Sequence, residues 1–242
     1  MKLEEKLKKS DRLEKQPTYY ITEYIYRVLI IQRFILLPLS RTNITPNQIT
    51  FFGGFCVICS FILLYFGHNI LSGVCFLMYS LADHTDGMLA RLKNQSTKLG
   101  NLLDYICDYV AWFGLIILAS YLYNISLFCT IFLIFALLFH QQFCKHFIHT
   151  RLKKLKTIHR FGLKKYLLNH GFLLGIDASL LSLILAFSIF STEFEISFYT
   201  LGVIYIIDTI YRSIELYLNL KLGGGRWTLA IKTMPSQALH QA

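Results

Sequence analysis

Long uncharged apolar runs constrain this chain more than any other feature. Ile49 to Phe66 contains no charged residue, and comparable runs recur along the sequence. A helix needs about 20 predominantly apolar residues to cross ~30 Å of hydrocarbon. Composition agrees: 55% of the 242 residues are hydrophobic and 16% are charged, against about a quarter charged in soluble domains. The sequence therefore reads as an all-α integral membrane protein. Six transmembrane helices are expected, at about 45–66, 69–91, 100–123, 124–146, 170–191 and 194–218. The first opens on Thr45-Pro46-Asn47, a capping hydroxyl followed by proline in the first turn. Ile21 to Leu37 is apolar but interrupted by Glu23, Arg27 and Arg33, and Pro38 stops it. It reads as an N-terminal interfacial amphipathic helix with its basic side chains toward the headgroups. As a seventh span it would place three charges in lipid. Residues 1–16 are too mixed in charge for a signal peptide.

Charge predicts orientation. All 24 Lys and Arg fall in the N-terminal segment, the 91–99 loop, the 145–165 loop or the C-terminal end. The connections near Gly67–Asn69, Tyr123–Ile125 and Ser191–Glu195 have none. Lys and Arg accumulate on the cytoplasmic side, which predicts cytoplasmic termini, with Ser96 and Lys156 inside and Glu193 outside. The net charge of +10 then follows from topology and anionic headgroups, and no nucleic-acid partner is implied. The six cysteines are scattered through the apolar spans, and Cys56-x-x-Cys59 has no second pair, so they read as small hydrophobic residues. Three segments are expected: 1–44 as a cytoplasmic N-terminal stretch with the interfacial helix, 45–218 as one six-helix membrane domain, and 219–242 as a cytoplasmic tail. The basic 151–169 stretch reads as a linker.

The chemistry is concentrated between Asp83 and Asp108. Only 13 uncharged residues, Ile70 to Ala82, precede Asp83, a rise of roughly 20 Å. Asp108 is followed by 15, Tyr109 to Tyr123, or roughly 22 Å. Neither run crosses the bilayer, so two antiparallel helices bring four carboxylates to one depth in its cytoplasmic third. Asp83 and Asp86 are three apart and Asp104 and Asp108 four apart, which places each pair on one helix face. Unpaired carboxylates there repel one another, and only Arg91 and Lys93 lie near in sequence. Hard divalent cations with oxygen ligands would neutralise them, and two such ions form a clamp for displacement at phosphorus. Gly87, Ala90 and Gly100 open a flat patch where a nucleotide could approach the backbone. Arg91, one turn past Gly87, could neutralise phosphate oxygens. Small residues also serve helix packing, and Arg91 alone could be a positive-inside anchor. His84 is expected to point to another face and not to be a ligand.

The pattern Asp83-x-x-Asp86-Gly87-x-x-Ala90-Arg91, eight residues, Gly100-x-x-x-Asp104-x-x-x-Asp108 resembles the signature of the CDP-alcohol phosphatidyltransferase family. The Thr45-Pro46-Asn47 opening, the length and the six-span layout resemble that family too, so the likeness covers most of the chain. It implies a CDP-linked lipid donor and an alcohol acceptor in a cytoplasm-facing cavity, two divalent ions (Mg²⁺ or Mn²⁺), release of CMP, and a homodimer among membrane lipids. Asp83, Asp86, Asp104 and Asp108 would then be metal ligands, with Asp108 also the base for the attacking hydroxyl. Gly87, Ala90, Arg91 and Gly100 would bind the donor.

The acceptor is less legible. Lys145, His146, His149, Arg151 and Arg212 sit at the cytoplasmic ends of later spans, and a phosphorylated acceptor would want two or three such cations. Lys145, Arg151 and Arg212 are the expected acceptor-binding set, with interfacial anchoring as the alternative for each. Asp208, one turn from Arg212, could orient it. Asp177 reads as an intramembrane acid. A phospholipid-making enzyme using CDP-diacylglycerol and a small polar alcohol is the expected function. Two rivals stand beside it: a CDP-linked small alcohol donating to a lipid hydroxyl, and a cation transporter, whose ion site would more usually lie near the midplane.

Overall fold

A computed structural model describes residues 19–155, 158–160 and 162–232, with side chains to Lys221. The expectations for residues 1–18, for Lys156 and for the tail beyond 232 lie outside the described residues. The fold is a helical bundle. Helix α1 (residues 21–40) runs unbroken through Ile21–Tyr24, a π-wound Ile25–Leu36 and Leu37–Ser40. It is followed by α2 (Pro46–Tyr65), α3 (Asn69–Lys93), α4 (Lys98–Leu122), α5 (Leu127–Leu152), a short α6 (Gly162–Asn169), α7 (Ala178–Ser191) and α8 (Phe194–Lys232). Two residue pairs form a parallel bridge, β1 (Tyr19–Tyr20) against β2 (Phe172–Leu173), tying the start of α1 to the chain before α7.

Local chemistry explains the ends. Thr45 caps α2 as the sequence predicts: its side chain accepts from Gln48 N, the Gln48 side chain accepts from Thr45 N, and Pro46 fills the first turn. Asn94 ends α3 in the left-handed conformation at φ 55°, which asparagine tolerates better than most residues. Thr97 then restarts the chain, its hydroxyl accepting from Gly100 N. Lys93 donates to the carbonyls of Thr42 (2.8 Å) and Ile44 (2.7 Å), so it staples the α1–α2 loop.

Among the described residues, α2, α4, α5 and α8 are long and apolar enough to cross a membrane. The chain is an all-α integral membrane protein. Its outer faces carry exposed large apolar residues, such as Phe51, Phe55 and Ile62 on α2 and Phe128 and Phe135 on α5, as lipid contact requires. The core between α3, α4, α5, α7 and α8 is built from Phe76, Tyr79, Leu115, Leu133, Leu185 and Phe198. Because lipid is as apolar as leucine, close packing and interhelical hydrogen bonds hold such a bundle. Ser60 with Ser72 (3.1 Å) and Ser120 with Thr130 (2.7 Å) supply two, at roughly 0.6 kcal/mol each.

The structure departs from the sequence reading in five places. The helix expected from 170 begins at Ala178, because Gly171 (φ 84°) and Gly175 (φ 150°) take backbone paths open chiefly to glycine. Asp177 is accordingly the cap of α7, accepting from Leu180 N, and not a mid-helix acid. Helix α8 continues past 218 to Lys232. The basic stretch is no free linker: Glu215 on α8 binds Arg160 (2.8 Å) and Lys164 (2.5 Å), and Asn219 pairs with the His159 backbone. Lastly, Arg27 faces inward. It is 5% exposed and paired to Glu23 at 2.9 Å, since partners four apart on a helix neutralise each other and can be buried together.

Candidate active site

Helices α3 and α4 run antiparallel through a tight 94–97 turn, which sets their acidic faces against each other. One carboxylate oxygen from each of Asp83, Asp104 and Asp108 lies within 4.8 Å of the other two. Asp86 is not part of this trio. It is buried, lines the same cavity, and its Oδ2 accepts from the Thr50 hydroxyl of α2. The cavity is about 300 Å³ and is lined by Glu23, Arg27, Asp83, His84, Asp86, Gly87, Arg91, Asp104 and Asp108. Three close carboxylates are a hard-oxygen donor set that suits Mg²⁺ or Mn²⁺, and Lys93, committed to backbone carbonyls, does not neutralise them.

Several partners were not visible in the sequence. Tyr79 donates to Asp108 Oδ1 at 2.6 Å; its place four residues before Asp83, on the same face, was the one available signal. His84 does line the cavity, with Nδ1 3.2 Å from Asp83 Oδ2. Both its nitrogens are engaged, however, Nδ1 against the Ser80 carbonyl (2.9 Å) and Nε2 against the Ser179 hydroxyl (2.6 Å). Nothing local marked Thr50 or Asn47 as neighbours of the acids.

The small residues border a narrow cleft of about 40 Å³ between α2, α3 and α4. Asn47, Thr50, Ala90, Thr97 and Gly100 line it, and Asp86, Gly87 and Asp104 are shared with the acid cavity. A Cβ at Gly100 would lie 2.7 Å from Asn47 Oδ1, so a larger residue there would push the Asn47 side chain aside. At Gly87 a Cβ would meet only the Arg91 guanidinium, at 3.5 Å, so the chain itself leaves that space open.

A second cavity of about 370 Å³ lies between α4, α5, α7 and α8. It gathers Lys145, His149 and Arg212 with Tyr20, His140, Gln141 and Asp177. Arg212 Nε donates to Asp208 Oδ2 at 2.6 Å, as the spacing suggested, and the same oxygen meets His140 Nε2 at 2.7 Å. Arg212 Nη2 also reaches the Tyr20 hydroxyl at 3.3 Å. Gly175 permits this packing, for a Cβ there would stand 2.5 Å from Arg212 Nη2. Arg151 does not line this cavity; it is exposed and stacks on Phe147, with Cζ 3.5 Å from the ring centroid.

Residues 43–199, which contain all four aspartates, both flanking turns and the capped start of α2, match the CDP-alcohol phosphatidyltransferase family. The chain belongs to that family. Among curated members, it is similar to the phosphatidylinositol phosphate synthase of Mycobacteroides abscessus, 34% identical over 74 residues, 30% of this chain and 34% of that one. The CDP-diacylglycerol–inositol 3-phosphatidyltransferase of Drosophila melanogaster is 39% identical over 54 residues, 22% of this chain and 24% of that one. The archaetidylinositol phosphate synthase of Pyrococcus horikoshii is 33% identical over 70 residues, 29% and 37%. The matched stretches thus span well under half of these relatives. Helix α1 and the cations of α8 lie outside the family match.

Proposed function

We propose that this phosphatidyltransferase family member transfers a phosphatidyl group from CDP-diacylglycerol to a small polar alcohol that itself carries phosphate, releasing CMP. The observation that carries the reading is the trio Asp83, Asp104 and Asp108, converging from two helices on one cavity inside the family-matched stretch. The name of the Drosophila relative, a CDP-diacylglycerol–inositol 3-phosphatidyltransferase, supports CDP-diacylglycerol as donor. So does an apolar groove of about 590 Å³ along α1, α2 and α3, lined by Ile35, Leu39, Ile49, Phe52, Met78 and Ala82, where the acyl chains lie. The base edge of the nucleotide enters the cleft beside Gly87, Ala90 and Gly100. That cleft is too small for a whole nucleoside, so the diphosphate extends into the acid cavity toward Arg91. Lys145, His149 and Arg212 hold the acceptor's phosphate, and Asp208, held by His140, fixes the Arg212 guanidinium.

The acceptor hydroxyl attacks the phosphatidyl phosphorus. An O–P bond forms, the bond to CMP breaks, and the hydroxyl proton passes to the Asp108 carboxylate, which Tyr79 holds in place. Asp83, Asp104 and Asp108, with Asp86 beside them, would hold divalent metal, which neutralises phosphate charge and eases departure of CMP. CMP release by purified protein over a panel of donors and acceptors tests the reading. Turnover is expected with CDP-diacylglycerol and a phosphorylated polyol. Turnover confined to CDP-linked small alcohols and diacylglycerol would reverse the roles, and none with any CDP-linked donor would end it.

The same proposal has α3 and α7 completing six spans, with α1 lying in the interface on the exposed stripe Ile21, Ile25, Leu29 and Phe34. Both termini and the acid cavity face the cytoplasm, and 45–218 forms the membrane domain. Ser96 and Glu193 are both exposed. A cysteine placed at Ser96 should react with a membrane-impermeant thiol reagent only from the cytoplasmic side, and one at Glu193 only from outside. The opposite labelling would invert the topology.

A further inference from the structure

Arg27 holds a position that its neighbours in the protein do not explain. It stands on α1, its side chain 6% exposed, inside the cavity that contains the four aspartates. Nη1 donates to Glu23 Oε1 at 2.9 Å, and the Tyr19 ring lies 5.6 Å from Cζ. Nε and Nη2 are buried and have no hydrogen-bond partner among the described residues. Buried donors are nearly always satisfied, and leaving one charge-bearing N–H unmade is costly. These two donors are also a particular pair. Nε–H and Nη2–H point the same way and form the side-on fork of a guanidinium, the edge that meets two oxygens of one phosphate or carboxylate. Glu23 holds the third nitrogen, so the fork is fixed in direction.

We propose that Arg27 is a substrate-binding residue whose Nε/Nη2 fork grips a phosphate group in the acid cavity. A metal ion cannot satisfy these donors, because both are cationic. The carboxylates of the cavity do not reach them. A phosphate answers both needs, offering oxygens to the fork and negative charge to cations held by the aspartates. That phosphate belongs to the donor's diphosphate or to the acceptor, and the chemistry of the fork is the same for either. The inference rests on the phosphatidyl-transfer reading, and it extends the site to a helix that precedes residue 43, where the family match begins.

The test measures CDP binding calorimetrically at saturating Mg²⁺, together with KM for CDP-diacylglycerol and for the phosphorylated acceptor, on purified full-length protein. Arg27→Gln should weaken one phosphate-bearing partner by about 10- to 100-fold, the scale of a lost charge-assisted pair. A fall in CDP affinity with a raised donor KM assigns the fork to the donor. Unchanged CDP affinity with a raised acceptor KM assigns it to the acceptor. Because Arg27→Gln strands the Glu23 charge, two further variants accompany it, each checked for an unchanged unfolding midpoint. Arg27→Lys keeps the ion pair and loses the fork, and Glu23→Gln/Arg27→Gln removes both charges; both should show the same selective weakening. If CDP affinity and both KM values stay within twofold in all folded variants, the proposal is overturned. It is overturned as well if only the Mg²⁺ requirement moves, since Arg27 would then merely offset the aspartates. If the parent protein itself binds no CDP, the phosphatidyl-transfer reading fails, and this inference with it.

Discussion

Asp108→Asn should bind donor almost normally and turn over at least about 10²-fold more slowly, the usual scale for loss of a general base. The amide keeps an oxygen that can accept from Tyr79, which now donates to Asp108 Oδ1 at 2.6 Å, so the side chain should stay where it is. What it loses is the ability to take a proton, and raising the pH should not restore that. Asp104→Asn is the contrast. Both substitutions remove a charged oxygen from the 4.8 Å trio, but Asp104 also borders the cleft proposed for the nucleotide, so at saturating Mg²⁺ its loss should lower donor binding along with kcat. Asp86→Asn should lie between, because Asp86 stands outside the trio and Thr50 can still donate to an amide oxygen. Donor binding measured beside CMP release at saturating Mg²⁺ separates these cases. If Asp108→Asn loses donor binding as severely as Asp104→Asn, Asp108 is chiefly a ligand and the base lies elsewhere.

Complete loss of activity in EDTA, with return on excess Mg²⁺ or Mn²⁺, is the second large effect expected. Three carboxylate oxygens within 4.8 Å of one another, if all charged, repel by at least about 3.5 kcal/mol per pair at an effective dielectric of about 20. Two of the nearby cations are committed elsewhere. Lys93 is bound to carbonyls of the α1–α2 loop, and Arg27 is shared with Glu23. Divalent metal would supply the missing charge and ease departure of CMP. CMP release before and after chelation, with metal titrated back, is the measurement. Full turnover in chelator would remove metal from the mechanism and leave Asp83 and Asp104 without a role.

Much of the site is legible because helices are regular. A fixed rise per residue predicts that Asp83 and Asp108 come to one level of two neighbouring helices, where they do meet, and the intervals of three and four put each acidic pair on one face. The capped start of α2 is equally local, a matter of Thr45, Pro46 and Gln48. What periodicity does not carry is the rotation of one helix against the next. Asp86, by spacing alone, is as good a ligand as Asp83; the approach of α2 turns it to Thr50 instead. Lys145 and Arg151 sit on one helix end, yet only Lys145 faces the cavity of Arg212.

Taken alone, then, the sequence determined the membrane class, the start of α2 and the family signature. Each depends on residues within a turn or two of one another, or on the length of an uncharged run. Only the tertiary structure decided that Asp83, Asp104 and Asp108 meet while Asp86 stands aside, and that Arg212 shares an acid with His140. It also turned Arg27 inward toward the aspartates. The contacts that hold this arrangement include Tyr79 with Asp108, 29 positions apart, and Tyr20 with Arg212, 192 apart. They depend on how close-packed helices are rotated and on the path of the 170–177 segment, where Gly171 and Gly175 let the chain leave the helix. No local pattern of side chains encodes that rotation; the packing of the whole bundle does.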